Sequence, residues 1–211
     1  AIPALSAAVL LQPVDGVFFT GSYVTGRKIA ATAGRRMIKV QLELGGKDPI
    51  YVCEDVDVKT AAAAVADGAF YNNGQSCCAV ERIYVADAIH DAFVAAFVDE
   101  VRAFRIGDPM DEATYIGPLT RPGQIAVLKR QVAEARKLGG RVLTGGTPIE
   151  RRGNWFRPTV VANADHRMSL MREESFGPVI GIMPVASDDE AVKLMNDSDF
   201  GLTAAIWTAD A

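Results

Sequence analysis

Short apolar runs alternate along most of this chain with longer segments whose apolar residues recur at helical spacing. That alternation is the tightest constraint on its fold. A helix between two strands carries the chain back across a sheet face, so successive strands pair in parallel; the pattern predicts an α/β chain with a largely parallel sheet. The strand candidates are 17–19, 38–44, 49–53, 82–85, 141–143, 178–183 and 203–207. The first, Val17-Phe18-Phe19, reads as a buried strand. Helical segments fall between them. Residues 27–33 can be helical, ending near Gly34. The Ala-rich stretch 60–70 is a strong helix former, with Asp55 or Asp57 as its cap. Ile89, Phe93, Phe97, Val101 and Phe104 make one apolar stripe, and Ile125, Leu128, Val132 and Ala135 another, stopped by Gly139-Gly140. A last helix covers 189–195.

Composition excludes several classes. A chain of 211 residues, 49% hydrophobic, can bury a sizeable core. The net charge of −4 argues against a nucleic-acid partner, which needs a concentrated cationic surface. No apolar run approaches the ~20 residues of a membrane helix, so no membrane partner is expected. The cysteines are Cys53, Cys77 and Cys78, an odd number with two adjacent, which makes a poor disulfide framework. Reduced thiols in the cytoplasm are the expectation, and no metal site is expected. Residues 1–11 are apolar without the basic start of a signal peptide, and the sequence does not open on Met, so the chain reads as processed or as a fragment.

Four segments carry residue types suited to chemistry. In Asn73-Gly74-Gln75-Ser76-Cys77-Cys78, a loop cysteine is a candidate nucleophile, and Gly74 allows close backbone approach. The ordinary alternative is a small buried thiol, and periodicity does not choose between the two cysteines. In Leu42-Glu43-Leu44-Gly45-Gly46-Lys47, an acid between two leucines at a strand end would have its pKa raised by partial burial, as a general base requires. The alternative is a Glu43–Lys47 ion pair. Phe19-Thr20-Gly21-Ser22 leads from a strand into a helix, where backbone N–H groups attract phosphate, although a plain turn has the same composition. In Glu173-Glu174-Ser175-Phe176-Gly177-Pro178, a Glu can hold a ribose and a Phe can pack on a flat ring; a solvated acidic pair before a turn is the alternative.

Taken together and in this order, the segments resemble the NAD(P)-dependent aldehyde dehydrogenase family. Ile116-Gly117-Pro118-Leu119, Phe156-Arg157-Pro158-Thr159-Val160, the run from Glu173 to Val179, and Phe200-Gly201-Leu202 extend the likeness over nearly the whole chain. The most specific pair is Glu-Leu-Gly-Gly-Lys with Gly-Gln-x-Cys, in which 34 residues separate Glu43 from Cys77. The resemblance selects Cys77 as nucleophile and leaves Cys78 and Cys53 as packing residues.

The resemblance implies a three-layer αβα fold with a largely parallel sheet, truncated at both ends. Residues 1–45 would be the C-terminal part of the NAD(P)-binding domain, and 46–211 the catalytic domain without its C-terminal end. It implies that Cys77 attacks an aldehyde to give a thiohemiacetal, then a thioester that Glu43 helps water to hydrolyse, with the Cys77 backbone N–H on the oxyanion. Gly21 and Ser22 would meet the cofactor pyrophosphate, Leu44 and Gly45 the nicotinamide, and Glu174 the nicotinamide ribose, with Phe176 beside it. NAD is the implied cofactor, with NADP possible, and the full-length protein would be a homo-oligomer. The family's oxyanion Asn, its adenosine-ribose Lys and its oligomerisation segment have no counterpart in the sequence, so the chain reads as an internal fragment with little or no dehydrogenase activity alone. Two other readings are a thiol hydrolase or acyltransferase using Cys77, which needs a His base although His90 and His166 lie in no motif, and a fragment that only binds or assembles.

Overall fold

A computed structural model describes residues 12–210, so the apolar stretch over 1–11 lies outside the described residues. The chain divides into two compact units, one ending at Gly45 and the other beginning at Gly46.

The first unit is a βαβ element. Strand β1 (Gly16–Thr20) pairs in parallel with β2 (Lys39–Glu43), Gly16 opposite Lys39 and Thr20 opposite Glu43. Helix α1 (Tyr23–Arg35) connects them and buries Gly26, Ile29 and Ala33. It begins four residues earlier than the apolar spacing predicts. Ser22 takes the N-cap position, its hydroxyl accepting from the Thr25 N–H at 3.4 Å, and this satisfies one of the free donors of the first turn. The expectation of a buried first strand is corrected for Phe18, which is 88% exposed. Alternation along a strand puts Phe18 on the face opposite Val17 and Phe19, and a single crossover helix covers only one face of two strands.

The second unit is built on a six-stranded sheet. Its strands are β3 (Asp48–Val52), β4 (Val80–Ala86), β5 (Arg141–Thr144), β6 (Thr159–Ala162), β7 (Val179–Val185) and β8 (Ala205–Trp207), in the order β5-β6-β7-β4-β3-β8. All neighbours are parallel except β5 with β6. Helices α2 (Val58–Phe70) and α3 (His90–Ala103) cover one face. Ile50, Val52, Ile83, Val85, Ile180 and Ile182 meet Val65, Phe70, Phe93 and Phe97 there. Helices α4 (Pro122–Lys137), α5 (Ser169–Arg172) and α6 (Asp188–Asn196) cover the other, where Tyr51, Tyr84, Val161 and Val185 meet Leu128, Val132, Leu170 and Ala191. Alternate residues of each strand thus feed opposite layers, the three-layer arrangement in which parallel strands are buried on both sides.

Strand β6 and the one-turn helix α5 have no counterpart among the periodic segments. Four residues that are all buried, as in β6, show no alternation to read. Of the two candidate caps for α2, Asp57 does the work: its Oδ1 accepts from the Thr60 N–H at 2.9 Å. Asp55 instead accepts from the Thr208 hydroxyl and from the N–H groups of Ala209 and Asp210, tying down the segment after β8.

Helix α6 opens with a reciprocal cap. Ser187 Oγ accepts from the Glu190 N–H at 3.2 Å, while Glu190 Oε2 accepts from the Ala186 N–H at 2.7 Å. Ser187→Ala removes the first of these bonds and is expected to cost about 1 kcal/mol. A lowered urea midpoint with an unchanged slope is the signature; an unchanged midpoint would show that the cap is not stabilising.

Candidate functional site

The cysteine loop follows α2. Asn72, Asn73 and Gly74 have φ of 49°, 61° and 66°, three successive left-handed residues that reverse the chain directly after the helix. Asn and Gly are the residues that adopt this conformation at least cost. Side chains then fix the loop. Asn72 Nδ2 donates to Gln75 O at 2.9 Å, and Asn73 Nδ2 donates to Gly117 O at 3.0 Å. Gln75 Oε1 accepts from the Thr120 N–H at 2.9 Å. The Ile116–Leu119 segment, which in the sequence stands out only through the family resemblance, is therefore one wall against which the loop is set.

Cys77 is half-buried, and burial pushes its thiol pKa up, with the neighbouring Cys78 adding to the shift. Cys78 is exposed, which corrects its reading as a packing residue. Its sulfur lies 3.3 Å from both Ser76 Oγ and Tyr71 OH, and hydrogen bonding from Ser76 and then Tyr71 pulls its pKa down. Polar partners at the surface hold this thiol where an apolar core would otherwise have taken it. Cys53 is half-buried against the α4 side of the core, and burial raises its pKa.

Gly46 joins this loop to the acidic one. A Cβ on Gly46 would fall 2.5 Å from the Cys77 carbonyl oxygen, and the Gly46 N–H donates to Glu174 Oε1 at 3.1 Å. Only glycine lets the two backbones approach so closely. The two glutamates of the acidic pair separate in environment. Glu173 is exposed and paired with Arg130 at 2.5 Å. Glu174 is half-buried, and its pKa is raised by burial first and by the charge of Glu81 second. Phe176 is partly exposed with φ 45°, an uncommon backbone for an aromatic residue.

The ion-pair partner of Lys47 is Glu81. Lys47 is 1% exposed, with its Nζ 2.5 Å from Glu81 Oε2 and 3.1 Å from Ser175 Oγ. Burial lowers its pKa, against the raising effect of Glu81. Sequence reasoning missed Glu81, yet a signal was present: Glu81 and Arg82 are adjacent charges at the start of an otherwise apolar strand that both layers bury. Charges in such a place require partners.

The remaining candidates belong to the first unit. Glu43 ends β2 and is exposed, its Oε1 accepting from Gln41 Nε2 at 2.9 Å. The partial burial expected of it is corrected, because a two-stranded sheet cannot enclose the side chains at its end. The Gly21 N–H is taken by the Glu43 carbonyl at 2.9 Å, so the turn after β1 is stitched to the end of β2. Ser22 caps α1, Leu44 packs on α1 at Gly26, and Gly45 closes the unit. Neither histidine is hydrogen-bonded to a cysteine. His166 bridges Tyr84 and Asp197, and His90 faces Asp91.

Comparison with known proteins identifies the family. The chain matches the aldehyde dehydrogenase family over residues 5–211, and it belongs to that family. A betaine aldehyde dehydrogenase of Cereibacter sphaeroides is 38% identical over 208 residues, which is 98% of this chain and 43% of that protein. An aldehyde dehydrogenase of Mycobacterium tuberculosis solved with NAD+ superposes with a TM-score of 0.92 at 35% identity, over 97% of this chain and 43% of that one. A 3,6-anhydro-L-galactose dehydrogenase solved with NAP gives 0.91 at 41% identity, over 96% and 43% respectively. The chain thus spans well under half the length of these relatives.

Proposed function

We propose that the full-length protein oxidises an aldehyde to a carboxylic acid with NAD, or NADP, as oxidant. The observation that carries this reading is the junction at Gly46, where the Cys77 backbone and the Glu174 carboxylate meet one glycine. In this reading the second unit supplies the nucleophile and the first unit is part of the cofactor domain.

The Cys77 thiolate adds to the carbonyl carbon, and the carbonyl oxygen takes up the negative charge beside the Cys77 N–H. Burial at Cys77 disfavours the free thiolate, so the thiol needs a base, and in this reading Glu43 takes its proton. A bound nicotinamide supplies a two-electron acceptor for the hydrogen and electron pair leaving the substrate carbon, which leaves a thioester on Cys77. Glu43 then takes a proton from the water that attacks this thioester; the acid departs and the thiolate is restored.

The residues fit such a cofactor. Among the described residues Glu174 uses only Oε1, for Gly46, so its other oxygen can accept from a ribose hydroxyl. The ring of Phe176 is partly exposed, and Ser22 opens a 13-residue helix whose N-terminus favours a pyrophosphate. In this reading Gly21 joins Ser22 at the pyrophosphate, and Leu44 and Gly45 lie by the nicotinamide. Reduced cysteines suit the cytoplasm, and a homo-oligomer is the assembly we expect. No helix among the described residues is long and apolar enough to cross a membrane.

The test is formation of reduced nicotinamide by the full-length protein, with NAD and NADP separately and a panel of short and aromatic aldehydes. The expected result is stoichiometric reduced cofactor and carboxylic acid with at least one aldehyde. Folded protein that binds neither cofactor and reduces none would overturn the reading.

A further inference from the structure

Glu81 and Lys47 form a buried pair with 6% and 0% side-chain exposure, and neither was assigned a role above. The pair does more than neutralise itself. Glu81 Oε2 accepts from the Ser175 N–H at 2.8 Å, and Glu81 Oε1 accepts from the Phe176 N–H at 2.9 Å. One carboxylate therefore holds two successive backbone donors of the loop that bears Glu174 and Phe176. Lys47 Nζ completes the clasp through Ser175 Oγ, and Gln124 Nε2 donates to the Ser175 carbonyl from the α4 side. Lys47 directly follows Gly46, whose N–H holds Glu174. Arg82 Nε fastens the Lys47 carbonyl at 2.8 Å.

A buried ion pair adds little net stability over an apolar pair of the same size. What this pair supplies and an apolar pair lacks is two acceptor atoms at fixed positions. They face a residue, Phe176, whose left-handed backbone persists only where its surroundings over-determine it. We propose that Glu81, fixed by Lys47, is a positioning residue that sets Glu174 and Phe176 for the nicotinamide riboside. The proposal rests on the cofactor reading of Glu174 and Phe176 given above.

The test uses two variants of the full-length protein. Lys47→Met/Glu81→Leu removes the charges together, so that no ammonium is stranded, and removes both acceptors. Glu81→Gln keeps one acceptor and guards against a misfolded double variant. Amide exchange is measured in peptides spanning residues 173–177 without cofactor, and the NAD dissociation constant is measured beside it. Losing hydrogen bonds to a charged acceptor is expected to speed exchange and weaken NAD by about tenfold each in the double variant, with Glu81→Gln between it and the parent. A positioning role also predicts that in a Glu174→Gln background the clasp variants weaken NAD by less than they do in the parent.

Unchanged exchange over 173–177 overturns the proposal. So does a full additive loss on top of Glu174→Gln, or NAD affinity that falls in Glu174→Gln but not in the clasp variants. If exchange rises while Glu174→Gln and the clasp variants all bind NAD like the parent, the cofactor assignment of Glu174 is what fails, and the clasp then has no cofactor role.

Discussion

Cys77→Ala in the full-length protein is expected to lower aldehyde-dependent formation of reduced nicotinamide by at least about 10⁴-fold, as loss of a covalent nucleophile does. Cys78→Ala is expected to stay within about tenfold of the parent, because no step of the mechanism uses it. The two thiols differ in the opposite sense in their resting environments. Cys78 is exposed with its pKa pulled down by Ser76 and Tyr71, while Cys77 is half-buried with its pKa pushed up. A thiolate is the species that alkylates. Iodoacetamide at neutral pH, without cofactor, should therefore modify Cys78 first, as read by peptide mass, and turnover should survive that modification. Activity should then fall only as Cys77 is labelled, faster as the pH rises through the raised thiol pKa. If Cys78→Ala abolishes turnover and Cys77→Ala does not, the nucleophile is Cys78 and the assignment by family resemblance is wrong.

That contrast marks where the sequence is legible. The alternation of strands and helices is legible because the long helices of the second unit each bury one consistent face, as with Phe93, Phe97 and Val101 on α3. The close approach at Gly74 could also be read, since glycine before a reactive loop has few other purposes. What could not be read depends on which elements cover which. Phe18 and Glu43 look like interior or half-interior residues by their neighbours in sequence, yet both sit on a two-stranded sheet and are exposed. Cys77 and Cys78 have the same chemistry and adjacent positions, so only tertiary partners tell them apart. Glu81 was visible as a charge at the start of an apolar strand, but its partners lie 34 residues before it, at Lys47, and 94 and 95 residues after it, at Ser175 and Phe176. No local window joins those residues.

The loop geometry predicts the second large effect. At Gly74 φ is +66°, and a Cβ there would meet the carbonyl oxygen of Gly177 and lie 2.7 Å from its carbonyl carbon. Both obstacles are backbone, so no rotamer change relieves them. Gly74→Ala combines the cost of a left-handed alanine with forced separation of two packed loops, together about 2–4 kcal/mol. Urea unfolding of the full-length protein reads this as a lowered midpoint. Gly34→Ala is the control: it lies inside α1 with nothing within 4 Å of the added Cβ, and it should raise stability by about 0.5–1 kcal/mol. The consequence for function follows from what Gly177 adjoins. Pushing Gly74 away from Gly177 separates the loop of Cys77 from the loop of Glu174 and Phe176, so turnover per folded molecule should fall in Gly74→Ala and remain at the parent level in Gly34→Ala. A midpoint unaffected by Gly74→Ala would overturn the close approach of the Gly74 and Gly177 backbones, and with it the expected loss of turnover.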